Sequence, residues 1–316
     1  MPWEEFRPAL DAVLRRSKRT KGGRPPFDVV LMFKTLVLQA LYNLSDDQTE
    51  YQIRDRLSFM RFLGLDLDQR IPDAKTIWLF RETLAHAQVV ETLFEQFETY
   101  LAEHGLQPHG GQLIDASLVP VPKQRNSRED NATIKAGECP TEWEEQPAKR
   151  RQKDTEARWT VKHGINHFGY KNHINVDKHH KLIRQYTVTD AAVHDSQMLE
   201  DVLLPAEAGR EVWADSAYRS EAIETQLKAK QLRSKIHHKG ARNTPLTTQQ
   251  KTHNRGRSRI RARVEHVFGH QVTAMGGKLI RTIGIMRARA KIGLKNLAYN
   301  FQRFVVLTTP RKAQVA

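Results

Sequence analysis

The hydrophobic period of this chain changes once, at Gly110-Gly111, and that change constrains the fold more than any other feature. Before it, apolar residues recur three and four positions apart, the spacing of one helix face. Asp28 stands as an N-cap before Val29, Met32, Phe33, Leu36, Val37, Ala40, Leu41 and Leu44. Ser45 and Gln48 form a capping-box pattern that opens a second helix, to about Arg56. Asp73 caps a helix with Ile77, Phe80 and Leu84 inward and Lys75, Thr76 and Arg81 outward, and Val89 to Leu101 make one more, stopped near Gly105. Residues 28–110 thus form an all-α domain for DNA binding or dimerisation. Helix, short turn and basic second helix is compatible with a helix-turn-helix reader, and equally with any small helical bundle. Residues 1–27, which run through Arg15-Arg16-Ser17-Lys18-Arg19 to Arg24-Pro25-Pro26, are expected as a basic flexible arm.

After Gly111 the period is that of strands. Gln112 to Val119 is a strand with Leu113, Asp115 and Ser117 on one face. Residues 123–158 are charged and poor in apolar side chains, which predicts a mobile insertion. Strands follow at 168–176, 182–189 and 211–215, with a helix around Met198 to Leu203 before the last of them and another over Ser220 to Lys230. Arg233 to His238 is a candidate fifth strand, Glu265 falls on the next helix, and a final helix runs through Ile292, Leu297 and Phe304. This order indicates a mixed α/β sheet over 111–309.

Charge narrows the partner. From Thr225 to Ala316 there are 21 Lys or Arg and one carboxylate, Glu265, a net +20 that leaves −5 of the chain's +15 for residues 1–224. Such a surface suits a polyanion, and duplex DNA carries a charge about every 1.7 Å. A lone carboxylate facing phosphates calls for a cation between them. The ordinary alternative is an ion pair with Arg261, one helical turn earlier. The single Cys139 excludes an internal disulfide or a thiolate zinc cluster. The start lacks a signal-peptide pattern and no apolar run nears the roughly 20 residues of a membrane helix, so a cytoplasmic location is expected and no membrane partner.

Asp115 within an apolar strand, Asp215 at a strand end and Glu265 on a late helix make a possible metal-binding set, since an Asp on such a strand is costly to bury unpaired. If the first and fourth strands are neighbours, the two aspartates meet. Taken singly, each has an ordinary reading, as a loop acceptor or a helix cap. His179-His180 and His237-His238 read as surface polar residues, His194-Asp195 as a cap, and Trp159 and Tyr170 as packing aromatics.

The runs Leu113-Ile114-Asp115-Ala116-Ser117, Phe168-Gly169-Tyr170-Lys171-Asn172-His173, Trp213-Ala214-Asp215-Ser216-Ala217-Tyr218 and Arg261-Ala262-Arg263-Val264-Glu265-His266 occur in the order found in DDE transposases of bacterial insertion sequences. The chain resembles most the insertion sequence 5 group. Gly23-Arg24-Pro25-Pro26-Phe27-Asp28 and Pro72-Asp73-Ala74-Lys75-Thr76 are similar to that group's helical region. The resemblance implies an RNase H-like catalytic core in which Asp115, Asp215 and Glu265 are the catalytic triad. It implies two Mg²⁺ ions, replaceable by Mn²⁺, and cleavage at an element's inverted repeats followed by strand transfer into target DNA. It also implies a homodimer or larger complex on DNA in a bacterial cytoplasm. Arg261 matches an arginine of a related signature, whereas Ser258 and Val272 replace its Tyr and Lys, with Lys278 a candidate substitute. Expected DNA contacts are Lys75, Thr76, Arg81, Lys171, Arg257, Arg259, Arg261, Arg263 and Lys278. An RNase H-like nuclease without strand transfer and a DNA-binding repressor are the competing readings.

Overall fold

The computed structural model describes residues 1–14, 25–241 and 244–309. The basic run from Arg15 to Arg24 lies outside these residues. The expected flexible arm is corrected where it is described: Trp3–Phe6 forms a 3-10 turn and Arg7–Val13 a helix, α1, with Phe6 and Leu10 buried. Both side chains enter the main core, where Phe6 lies 5.1 Å from Phe33 and 5.9 Å from Phe301.

Helices α2 (Val29–Tyr42), α3 (Asp46–Asp55), α4 (Leu57–Leu63), α5 (Ala74–His86) and α6 (Val89–Glu103) complete the helical region. Their starts follow the caps in the sequence: Asp28 accepts from Val30 and Leu31, Ser45 and Gln48 form the reciprocal box, and Asp73 accepts from Thr76. A ten-residue connection, 64–73, separates α4 from α5, so the short turn of a helix-turn-helix is not present there.

β1 (Gln112–Pro120) opens the sheet. The segment expected to be a mobile insertion folds instead into α7 (Arg128–Lys135), α8 (Thr141–Glu144) and α9 (Pro147–Arg151). A Ser127–Asp130 capping box starts it, and Ile134 and Trp143 anchor it by burial. Then follow β2 (Arg158–Lys162), β3 (Ile165–Asp177), β4 (Ile183–Asp190), α10 (Leu199–Val202), β5 (Glu211–Trp213), α11 (Glu221–Ala229), β6 (Arg233–Ser234), α12 (Thr248–Thr273) and α13 (Ile285–Thr308).

β3 pairs antiparallel with β1 along one edge, and with β2 and then β4 along the other. β5 joins β1 in parallel and β6 joins β5 in parallel. Three antiparallel strands continued by two parallel ones give the order β4-β3-β1-β5-β6 of an RNase H-like sheet. Gly169 sits where β3 crosses the end of β1, at φ +150°, and a Cβ there would run into the Val119 carbonyl. α13 is buried over most of its length and contributes Leu294, Leu297, Phe301 and Phe304 to the cluster that holds Phe33, Phe97 and Ile174. The helical region and the sheet therefore share one core.

Candidate catalytic carboxylates

Two carboxylates meet because β1 and β5 are parallel neighbours. Leu113 is paired with Trp213, the last residue of β5, so Asp115 lies two residues past that pair on β1 and Asp215 two residues past it on the chain leaving β5. Asp215 leaves the carboxyl end of β5, the end where open α/β sheets place their sites, and caps the turn Ser216–Tyr218 by accepting from Ala217 N at 2.8 Å. Asp115 Oδ1 accepts from Ala116 N at 2.8 Å. Its Oδ2 accepts from Arg261 Nη2 at 3.1 Å, the two side chains being 17% and 12% exposed. Burial holds the Asp115 carboxyl above its ordinary range; Arg261 opposes that rise and Asp215 adds to it.

Cations surround the pair. Lys278 donates to Ser117 Oγ, on the same strand face as Asp115, and lies 4.7 Å over the Phe268 ring. Burial, then Lys162, lowers its ammonium pKa, with Asp115 acting the other way. His237 N donates to Ala214 O at 3.2 Å, which brings His237 beside Asp215. Burial and then Arg261 depress the His237 imidazole, which favours its neutral form.

Glu265 does not join this group. It is exposed on α12, one turn or about 6 Å beyond Arg261, and it has no ion pair or side-chain hydrogen bond among the described residues. The Arg261 pairing open to an isolated Glu is absent, because Arg261 turns to Asp115. Among the described residues no three His, Cys, Asp or Glu are disposed to hold a metal. The donor chemistry of Asp115 and Asp215 still fits a hard divalent cation, which takes carboxylate oxygens.

Of the expected DNA contacts, Arg81 is corrected: it is buried, donating to Asp46 Oδ2 at 2.9 Å and to Gln39 Oε1 at 2.8 Å. Lys171 is turned inward too, with Nζ 2.8 Å from Asp195 and 2.6 Å from the Val193 carbonyl. Arg257 donates to the Ile236 carbonyl and Arg263 to the Lys178 carbonyl at 2.6 Å. Lys75 and Arg259 are exposed, and Thr76 is half-buried at the start of α5. Sequence reasoning missed Asp195, Tyr218 and His237 as neighbours of the pair. Only the proximity of Tyr218 to Asp215 in the chain carried a local signal.

Comparison with known proteins agrees with the ordered blocks. Residues 106–301 match the family described as Transposase DDE domain, and residues 1–83 match the one described as Transposase domain (DUF772). Among solved structures, the cryo-EM structure of a piggyBac transposase synaptic complex with hairpin DNA is similar at 10% identity and a TM-score of 0.46, covering 98% of this chain and 74% of that one.

Proposed function

Because this chain belongs to the DDE-domain transposases, whose general activity is metal-dependent DNA cleavage and strand transfer, we propose that Asp115, Asp215 and Glu265 are its catalytic triad and that it acts on the inverted repeats of an element of the insertion sequence 5 group. The observation that carries this reading is that Asp115 on β1 and Asp215, just past the end of β5, each follow the paired residues Leu113 and Trp213 of adjacent parallel strands by two positions. Asp115 and Asp215 hold divalent metal, two Mg²⁺ or in their place Mn²⁺, and Glu265 completes the set by turning in from the next turn of α12. Metal bound there supplies Lewis-acid activation of a water or 3′-hydroxyl and stabilises the leaving oxygen. The protein's own part is electrostatic and positional. Arg261 neutralises Asp115 until metal binds, and Lys278, already held against Ser117, offsets phosphate charge beside the pair. Exposed Arg259 extends the basic face along α12, and Lys75 and Thr76 at the start of α5 contact the element end. The active complex contains two or more copies.

The test is incubation with a linear DNA carrying the element's end and Mg²⁺, mapping cleaved and joined products. Asp115→Ala, Asp215→Ala and Glu265→Ala should each abolish cleavage while binding of the end persists. Normal cleavage by any one folded variant removes that residue from the triad.

A further inference from the structure

Tyr218 is 1% exposed, and its hydroxyl has no hydrogen-bond partner among the described residues. The ring is explained by packing, since it joins Ile114, Leu199, Val202, Val212 and Ala214 in the core beneath β1 and β5. The hydroxyl is not. A buried donor left without a partner costs about 1–3 kcal/mol, and phenylalanine would fill the same space without that cost. What distinguishes the position is its surroundings. Tyr218 ends the turn that Asp215 caps, the turn containing Asp195 packs against it, and the charges that act on its hydroxyl are Asp115 first, then Asp195, Asp215 and Arg261. Asp195 is engaged by Lys171 at 2.8 Å, and Asp115 is held by Arg261.

We propose that Tyr218 is a positioning residue of the carboxylate pair, its hydroxyl donating to Asp115 when that carboxylate turns from Arg261 to a divalent cation. The inference rests on the assignment of Asp115 and Asp215 as metal ligands. Being buried, Tyr218 does not touch DNA; it acts through the aspartate. Its place in the site is that of the outer hydrogen-bond donors that fix ligating carboxylates, whose loss typically costs 10–100-fold in metal affinity or activity.

The experiment compares the full chain with Tyr218→Phe, Asp115→Asn and Asp215→Asn, reading Mn²⁺ binding from the electron paramagnetic resonance signal of the free ion and stability from urea unfolding. Tyr218→Phe should be as stable as the parent or more so, yet bind Mn²⁺ about tenfold more weakly, with cleavage reduced and affinity for end DNA unchanged. A folded Tyr218→Phe protein with Mn²⁺ affinity within about twofold of the parent overturns the proposal. If Asp115→Asn and Asp215→Asn also retain full Mn²⁺ affinity, the metal assignment fails as well; if they lose it while Tyr218→Phe does not, only the role of Tyr218 is refuted.

Discussion

Replacing Arg261 by Met keeps the length of the side chain and removes the cation that faces Asp115. The pair is separated by 3.1 Å and both side chains are mostly out of water, at 12% and 17% exposure. Removing one partner of a buried pair costs about 3–5 kcal/mol, because the other charge is left unmatched. Residual exposure of Asp115 places the expected loss at the low end, about 3 kcal/mol. With a urea slope of about 1–3 kcal/mol per molar, the unfolding midpoint should fall by 1 M or more. The pH dependence has a definite sign. Asp115 is raised in the folded protein, so its neutral form favours folding at low pH, and that contribution is lost as pH rises through the folded value. Without Arg261 the folded value rises further. The deficit of Arg261→Met should therefore be full at pH 8 and shrink on acidification, as Asp115 becomes neutral. Adding Asp115→Asn should recover part of the loss, a coupling that a double-mutant cycle measures. A deficit under about 0.5 kcal/mol at pH 8, or one that is unchanged at pH 5, would refute the reasoning.

His173 is fully buried and its imidazole is depressed to about 4 by burial. Its contribution is lost as pH falls below the ordinary value toward the folded one, so the parent should lose about 1.4 kcal/mol relative to His173→Gln between pH 7.5 and 5.5; parallel stability curves would contradict this. Gly169→Ala should destabilise by about 2 kcal/mol or more, since the added Cβ meets the Val119 carbonyl at a φ of +150°; unaltered urea unfolding would show that β3 can shift there at little cost. Lys75→Ala should weaken end binding with stability intact, whereas Arg81→Ala should destabilise by breaking the Asp46 pair. Mobility-shift and unfolding data on the two variants separate these roles, and equal stability would place Arg81 outside the core.

Much of the secondary structure is local and was readable. Asp28, Ser45 with Gln48, and Asp73 start helices because a cap and its first turn are neighbours in sequence. Glycine pairs and alternating apolar residues mark β1 for the same reason. Residues 3–13 and 123–158 misled because each short element there is held by one or two buried anchors, Phe6 and Leu10, whose core partners are distant in the chain, and Ile134 and Trp143, isolated apolar residues in a charged segment. Arg81 looked outward on its own helix, but Asp46 waits 35 residues upstream. The three carboxylates could be named from the order of the blocks. Only the tertiary structure made β1 and β5 parallel neighbours, gave Arg261 to Asp115 and left Glu265 on the surface. Strand order and ion-pair choice depend on which surfaces meet once the core closes, and a linear period carries no record of that. The sequence thus determined which elements form and which chemical groups they carry, while packing decided which groups face one another.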